Sequence, residues 1–408
     1  MKAQITASDL LSQDIKRHPS AIYTPLREQE PLSHFTYFDG ARAWVVSSYD
    51  DAITILKDPR FIKEKRKLFI PGDGQAPSQK STPLYEPLAW RRDMLMTDPP
   101  DHTRLRHLVS QAFTPRMIEQ LRPRVQQITD ELLDAVQERG EMDLIADFAF
   151  PLPIIVILEL LGVPAADRQQ FRDWVQAITL TPDGPEKVAA SASAEEAFFY
   201  YIKRLLAEKR EHQSLDLISS LVQVEENGDT LSEIELISMI WLLIVAGHET
   251  TVGLIGAGTL LLLQHPEQMR LLQHDLSLLP STVEELLRHT TPVSLSSFRW
   301  ASEDIPLHGQ VIHKGELVFI ALIAANTDSQ QFPDSEVLDL TRQVNKHLAF
   351  GKGIHTCLGA PLARLEGQIA FGTLLHRFPH LCLASDPEQL VWNHHPILRG
   401  LTSLPVVF

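Results

Sequence analysis

Apolar residues recur at helical spacing through most of the chain from Asp101 to about Pro292. The longest such pattern runs to about Gln264. Ser232 and Glu235 carry the spacing of a capping box at its start, Leu231 and Leu236 are placed as a hydrophobic staple, and Pro266 closes it. Roughly 33 residues at ~1.5 Å each predict a helix of about 50 Å, long enough to cross a whole domain. "TPDGP" at Thr181–Pro185 and "ENGD" at Glu226–Asp229 break neighbouring helices. Earlier in the chain, "HFTYFDGARAWVVSS" reads as a hairpin turning at Asp39-Gly40, and "YDDAITILKDP" as a short amphipathic helix. Residues 68–90, crowded with Pro, Gly and Ser, read as a long surface loop. Past Pro292 come short strand-like pieces such as "GELVFIALIAAN", one more helix beyond Cys357, and a β-like stretch from His380. The class is mainly α with a minor β portion. β-rich parts fall at about 20–60, 293–325 and 380–408, and helical parts at about 100–292 and 358–377. This pattern fits one α-rich domain as well as two.

The predicted central helix breaks its own rules in the middle. "AGHETT", Ala246 to Thr251, sets a glycine, an acid and two β-branched alcohols in an apolar run. Glycine costs about 1 kcal/mol against alanine in a helix, and each threonine roughly half that. A threonine there can also bond a preceding carbonyl and bend the helix. An acid beside a hydroxyl in a core-crossing helix is a local violation of the kind that marks function. A solvated groove with a chance acid is the plainer alternative.

Composition narrows the classes. A hydrophobic share of 44% over 408 residues supports a large core. The net charge of −15 argues against broad nucleic-acid binding. Two cysteines make no disulfide framework, which points to a reducing compartment. The amino-terminal segment lacks a signal-length apolar run, and Met239–Gly247 and Val252–Leu263 each fall short of the ~18 residues of a membrane span. The expectation is a soluble cytoplasmic protein. The basic cluster "RFIKEKRK", Arg60–Lys67, reads as a solvated helix end.

One cysteine stands apart. In "FGKGIHTCLG", Phe350–Gly359, three glycines let the backbone turn tightly and approach a flat ligand. The helix that follows points free N–H groups back at Cys357, favouring thiolate over thiol. Such a thiolate is a metal ligand or a nucleophile with His355 as base. Zinc would need three or four ligands, whereas iron already held by a macrocycle needs one. Cys382, in "PHLCLASD", reads as an ordinary core residue.

"FGKGIHTCLG" resembles the haem-binding signature of the cytochromes P450, F-G-x-G-x-H-x-C-x-G. "AGHETT" is similar to that family's oxygen-activating motif, "EELLR" holds its E-x-x-R as Glu285 and Arg288, and "DPPDHTRLR" and "SSFRWA" match bacterial members. These anchors fall in the family's order from about residue 20 to the end. The resemblance implies a single P450 domain over 1–408, with haem b between the long central helix and the cysteine-turn helix. It implies Cys357 as axial iron ligand, and His102, Arg106, Arg299 and His355 as donors to the haem propionates. Glu285 and Arg288 become a buried ion pair holding the cysteine turn, joined by Arg342, with Ser281 and Glu284 as that helix's capping box. Gly247 opens the central helix for O2, Thr250 donates a hydrogen bond during its activation, and Glu249 relays protons. Two positions depart from the pattern, Thr327 where many relatives carry arginine and Leu338 where phenylalanine is common.

By the same resemblance the substrate pocket draws on loop 68–95, the helices around 170–210, Leu243–Ala246, Val293–Ser297 and Pro396–Leu398. Leu95, Leu243, Ala246, Val293, Leu295 and Ile397 would make it apolar. A fatty acid, terpenoid, steroid or macrolide follows as substrate class, with His248 and the Arg60–Lys67 cluster as weak candidates to meet a carboxylate. The implied activity is a monooxygenase fed by a ferredoxin or flavodoxin and its reductase, acting as a cytoplasmic monomer with no nucleic acid and no membrane span. Arg104, His107, Lys352 and Arg364 would form a basic docking patch. The alternatives are a peroxide-driven haem enzyme, disfavoured by the Glu249–Thr250 pair, and a haem-based sensor or carrier without turnover.

Overall fold

The computed structural model describes residues 5–68, 91–179, 185–226 and 228–408. Its axis is the central helix, Glu233–Gln264, whose capping box is present in full. The Ser232 N–H donates to Glu235 Oε2 at 2.8 Å, and the Ser232 side chain accepts from the Glu235 N–H. This helix packs on Pro151–Leu161 and on the helices Leu279–Thr290 and Ala360–Arg377. Taken whole, it is long and apolar enough to cross a membrane, yet 72% of its most apolar window is buried inside the protein. A helix that is apolar all round and enclosed by other helices is a core helix. Reading the two apolar stretches apart underestimated it, because "HETT" does not interrupt the backbone.

The hairpin forms with Leu32–Thr36 antiparallel to Arg42–Val46, and Gly40 takes a φ of 83° at the turn. Arg42–Val46 then runs parallel to Leu317–Ile320, which continues through Arg299–Ala301 to Phe61–Ile62 in one five-stranded sheet. The amino-terminal hairpin is thereby stitched into the segment carrying Arg299. A three-stranded sheet joins Cys382–Leu383, Pro405–Val407 and Glu141–Asp143. The "ENGD" break is a two-stranded ribbon, Glu225–Glu226 with Asp229–Thr230. Helices Arg168–Thr179 and Pro185–Glu211 flank the Thr181–Pro185 break, of which 181–184, like 69–90 of the proline-rich loop, lie outside the described residues.

Three local expectations are corrected. Cys382 is exposed, because it sits on the outer strand of the small sheet. Ser281 does not cap its helix. That helix begins at Leu279 with proline in its first turn, and the Ser281 hydroxyl donates to Leu278 O and Leu340 O. The Arg60–Lys67 cluster is a solvated helix end only in its second half, where Lys65, Arg66 and Lys67 are exposed on the short helical turn Lys65–Leu68. Phe61–Ile62 is a strand, Lys63 and Glu64 are buried, and Arg66 and Lys67 fold back on the Glu64 carboxylate.

Candidate functional site

The cysteine turn is built by glycine geometry. Gly351 and Gly353 have φ of 67° and 77°, and a Cβ on Gly353 would stand 2.6 Å from the Leu56 carbonyl. Only glycine fits there. The Cys357 N–H closes the turn on Phe350 O at 2.9 Å, and the cysteine helix starts at Ala360. The accessible surface of Cys357 opens onto a cavity of about 310 Å³. Burial pushes the thiol up, while the Gly359 and Ala360 N–H groups and the Arg106 and Arg364 charges pull it back. The helix N-terminus therefore works in the expected direction but does not win alone; a metal ion would supply the remaining charge.

The same cavity brings together His102, Arg106, Arg299 and His355. Asp98 anchors the start of the helix Asp101–Ala112, which carries His102 and Arg106. Its carboxylate accepts the N–H groups of Lys63 and Glu64 at 2.8 Å each, and its own N–H donates to Glu64 Oε1 at 3.0 Å. His102 and His355 stand with ring centroids 4.4 Å apart. Both His102 ring nitrogens and Arg299 Nε are buried with no hydrogen-bond partner. Burial, aided by Lys63, His102, Arg299 and Arg106, pulls His355 down to about 2. Burial takes Arg299 down to about 10. Unpartnered buried donors and mutually repelling bases call for anions. Two carboxylates on a flat apolar macrocycle answer that need, so the residues present fit haem.

The central helix supplies Leu243, Ala246, Gly247, Thr250 and Thr251 to the cavity wall. The Thr250 hydroxyl donates to Ala246 O at 2.7 Å and the Thr251 hydroxyl to Gly247 O at 3.1 Å, and the helix stays continuous through both. A Cβ on Gly247 would meet only Ile157, at 3.7 Å, so the protein itself leaves room there. Glu249 is not a cavity-lining residue; burial raises its pKa, and Oε1 lies 4.0 Å from His248 Nδ1. His248 is fully buried against Phe150 O at 3.1 Å, which removes it as a partner for a substrate carboxylate.

Of the six apolar pocket residues expected, Leu95, Leu243, Ala246, Val293 and Ile397 line the cavity. Leu295 does not; it is buried in the sheet-side core beside Phe298 and Phe319. None of the described residues of Arg168–Thr179 or Pro185–Glu211 lines it. The docking patch also changes. Arg104 pairs with Glu235 and Asp229, and Arg364 with Glu284 at 2.7 Å, so both charges are already matched. Lys352 remains exposed on the turn.

Two cations near the site were not legible as such. The Lys63 ammonium is buried and donates to Ser297 O, Ser297 Oγ and Phe298 O at 3.1, 2.6 and 2.9 Å. Arg91 lines the cavity and binds Asp93 at 2.5 Å. In the sequence Lys63 stands out only as one member of the basic cluster Arg60–Lys67, directly after the apolar pair Phe61–Ile62.

A family model described as "Cytochrome P450" matches residues 160–398. The chain belongs to the cytochrome P450 family. It is 53% identical over 411 residues to "Cytochrome P450 CYP107DY1" of Priestia megaterium, covering 99% of this chain and 100% of the relative. The structure of PksS, the cytochrome P450 of the Bacillus subtilis bacillaene polyketide synthase, superposes with a TM-score of 0.90 at 42% identity over 98% of both chains. The myxobacterial cytochrome P450 CYP267B1, solved with myristic acid, also gives 0.90, at 45% identity over 98% of both chains.

Proposed function

We propose that this P450 inserts one oxygen atom of O2 into an extended lipophilic molecule of fatty acid, terpenoid, steroid or macrolide type. Electrons come from a separate ferredoxin or flavodoxin with its reductase. The observation that carries the reading is a single cavity lined by Cys357, by His102, Arg106, Arg299 and His355, and by Thr250 of the central helix. Cys357 would hold the iron of haem b, and His102, Arg106, Arg299 and His355 would hold its propionates; the bound haem would supply the iron chemistry that activates O2.

The remaining roles belong to the chain. Leu95, Leu243, Val293 and Ile397 exclude water and hold an apolar substrate. Thr250 holds a proton on the cavity wall at Oγ1, shared at rest with Ala246 O. Glu249, raised by burial, keeps its proton more readily than a solvated acid and can reload Thr250. The Glu285–Arg288 pair acts at a distance, as a support for the turn. The relatives' association with a polyketide synthase and with myristic acid supports a lipophilic substrate. Two cysteines that form no disulfide support a reducing, cytoplasmic compartment, and the enclosure of the central helix supports a core helix over a membrane span.

The test is reconstitution with ferredoxin, ferredoxin reductase, NADPH and ¹⁸O2 over a panel of fatty acids, steroids and macrolactones. The reading expects product carrying one ¹⁸O atom. Product formed only with added hydrogen peroxide, or reductant-dependent product without label, contradicts it.

A further inference from the structure

The short helix Gln13–Arg17 contributes no residue to the cavity, yet it grips the loop that does. The Trp392 N–H donates to Gln13 Oε1 at 2.7 Å, and Gln13 Nε2 donates back to Trp392 O at 2.9 Å. Arg17 Nη2 donates to Leu390 O at 2.9 Å. Between them Lys16, only 4% exposed, sends its ammonium into the loop. Four acceptors surround Nζ: Asn393 O at 2.6 Å, Asn393 Oδ1 at 2.8 Å, His395 O at 2.6 Å and Leu398 O at 2.9 Å. Arg399 closes the ring, donating from Nε to Lys16 O at 2.6 Å and from Nη1 to Thr290 O at 2.8 Å.

Inside the span gripped by Lys16 stand Ile397 and Leu398, both of which line the cavity. The stretch from Trp392 to Leu401 has no helix and no ladder, only isolated bridges such as Leu398 with Val293. Within it the Asn393 N–H donates to Gly400 O at 2.8 Å, whereas the carbonyls of Asn393, His395 and Leu398 converge on the buried Lys16 donor. Burial and the Arg399 charge pull Lys16 down to about 7, so this is an unfavourable place for a lysine unless the oxygens it gathers matter.

We propose that Lys16 is a positioning residue that sets where Ile397 and Leu398 stand in the cavity, and so selects among bulky substrates, without touching substrate or haem. This rests on reading the cavity as the haem and substrate site.

The experiment uses haem-loaded wild type, Lys16→Met and Lys16→Arg, titrated spectrally with a small azole, imidazole, and a bulky one, clotrimazole. Amide hydrogen exchange of the 391–401 peptide is followed alongside. In Lys16→Met, clotrimazole affinity should fall about tenfold, the loss of one charged hydrogen bond, while imidazole affinity stays within about twofold. Exchange in 391–401 should speed up, and Lys16→Arg should recover part of both. Equal change for the two azoles, or unchanged loop exchange, overturns the proposal. Should Lys16→Met fail to load haem, Asn393→Ala is read instead, with about a threefold selective loss expected and none overturning it. Wild type that binds no imidazole would overturn the haem reading, a separate outcome.

Discussion

Arg288 donates to both oxygens of Glu285, at 2.9 Å to Oε2 and 2.8 Å to Oε1, with both side chains fully buried. Residues three apart on a helix usually form a surface pair of little value. Here Arg288 also donates to Asn326 O at 3.0 Å and Ser335 O at 2.7 Å. Glu285 in turn accepts from Arg342 Nε at 3.2 Å and Asn345 Nδ2 at 2.9 Å. Ser335, Arg342 and Asn345 lie in the irregular segment that leads into the cysteine turn, and Asn326 ends the short helix Leu322–Asn326 before it. The pair therefore fastens that segment to the helix Leu279–Thr290.

Glu285→Ala leaves the Arg288 charge buried and unpaired, a change that costs about 3–5 kcal/mol. Denaturant unfolding should show that loss, together with poor haem loading. A loss under about 1 kcal/mol would mean that water reaches Arg288 and the pair holds little.

The neighbouring Glu284 titrates in a way that can be followed. Burial raises its pKa, but hydrogen bonds from Arg364 and His347 overcome this and bring it down to about 2. A depressed folded pKa means the contribution is fully present above the unfolded value of about 4.5 and lost as pH falls toward 2. Wild type should be more stable than Glu284→Gln at pH 7, and the two should converge in acid unfolding by about pH 2. A gap that stays constant down to that pH would assign the difference to packing.

The unpartnered nitrogens of His102 and Arg299 make a third test. His102→Phe and Arg299→Leu each remove donors meant for a carboxylate, so haem should pass to apomyoglobin roughly tenfold faster in each. Transfer at the wild-type rate in both would place the propionates elsewhere.

Thr250→Ala should still consume reductant and oxygen but release hydrogen peroxide in place of product. Thr251 also reaches the cavity wall, but it lies about 100° further round the helix, so Thr251→Ala should be milder. Unchanged coupling in Thr250→Ala would remove its hydroxyl from proton delivery.

What could be read from sequence was local. The Ser232–Glu235 box, the glycine turn around Cys357 and the Glu285–Arg288 spacing each lie within a few residues, and backbone geometry decides them. Lys63 reaches Ser297 and Lys16 reaches Asn393 only after the chain has closed on itself, so charge pattern alone made Lys63 look solvated. Ser281 was misplaced because Pro280 lets the helix start three residues earlier, at Leu279 with Leu278 as its N-cap. Leu295 follows strand logic. It bridges Ala321 and is buried in the sheet-side core that also holds Phe298 and Phe319, not on the cavity wall.

The central claim is that Cys357 holds iron as a thiolate inside this cavity. The most direct measurement is the carbon monoxide spectrum of the dithionite-reduced protein, for wild type, Cys357→His and Cys382→Ala. Wild type and Cys382→Ala should both show the red-shifted band of thiolate ligation, and Cys357→His should keep haem but lose that band. The band surviving in Cys357→His, or absent from wild type, would contradict the account.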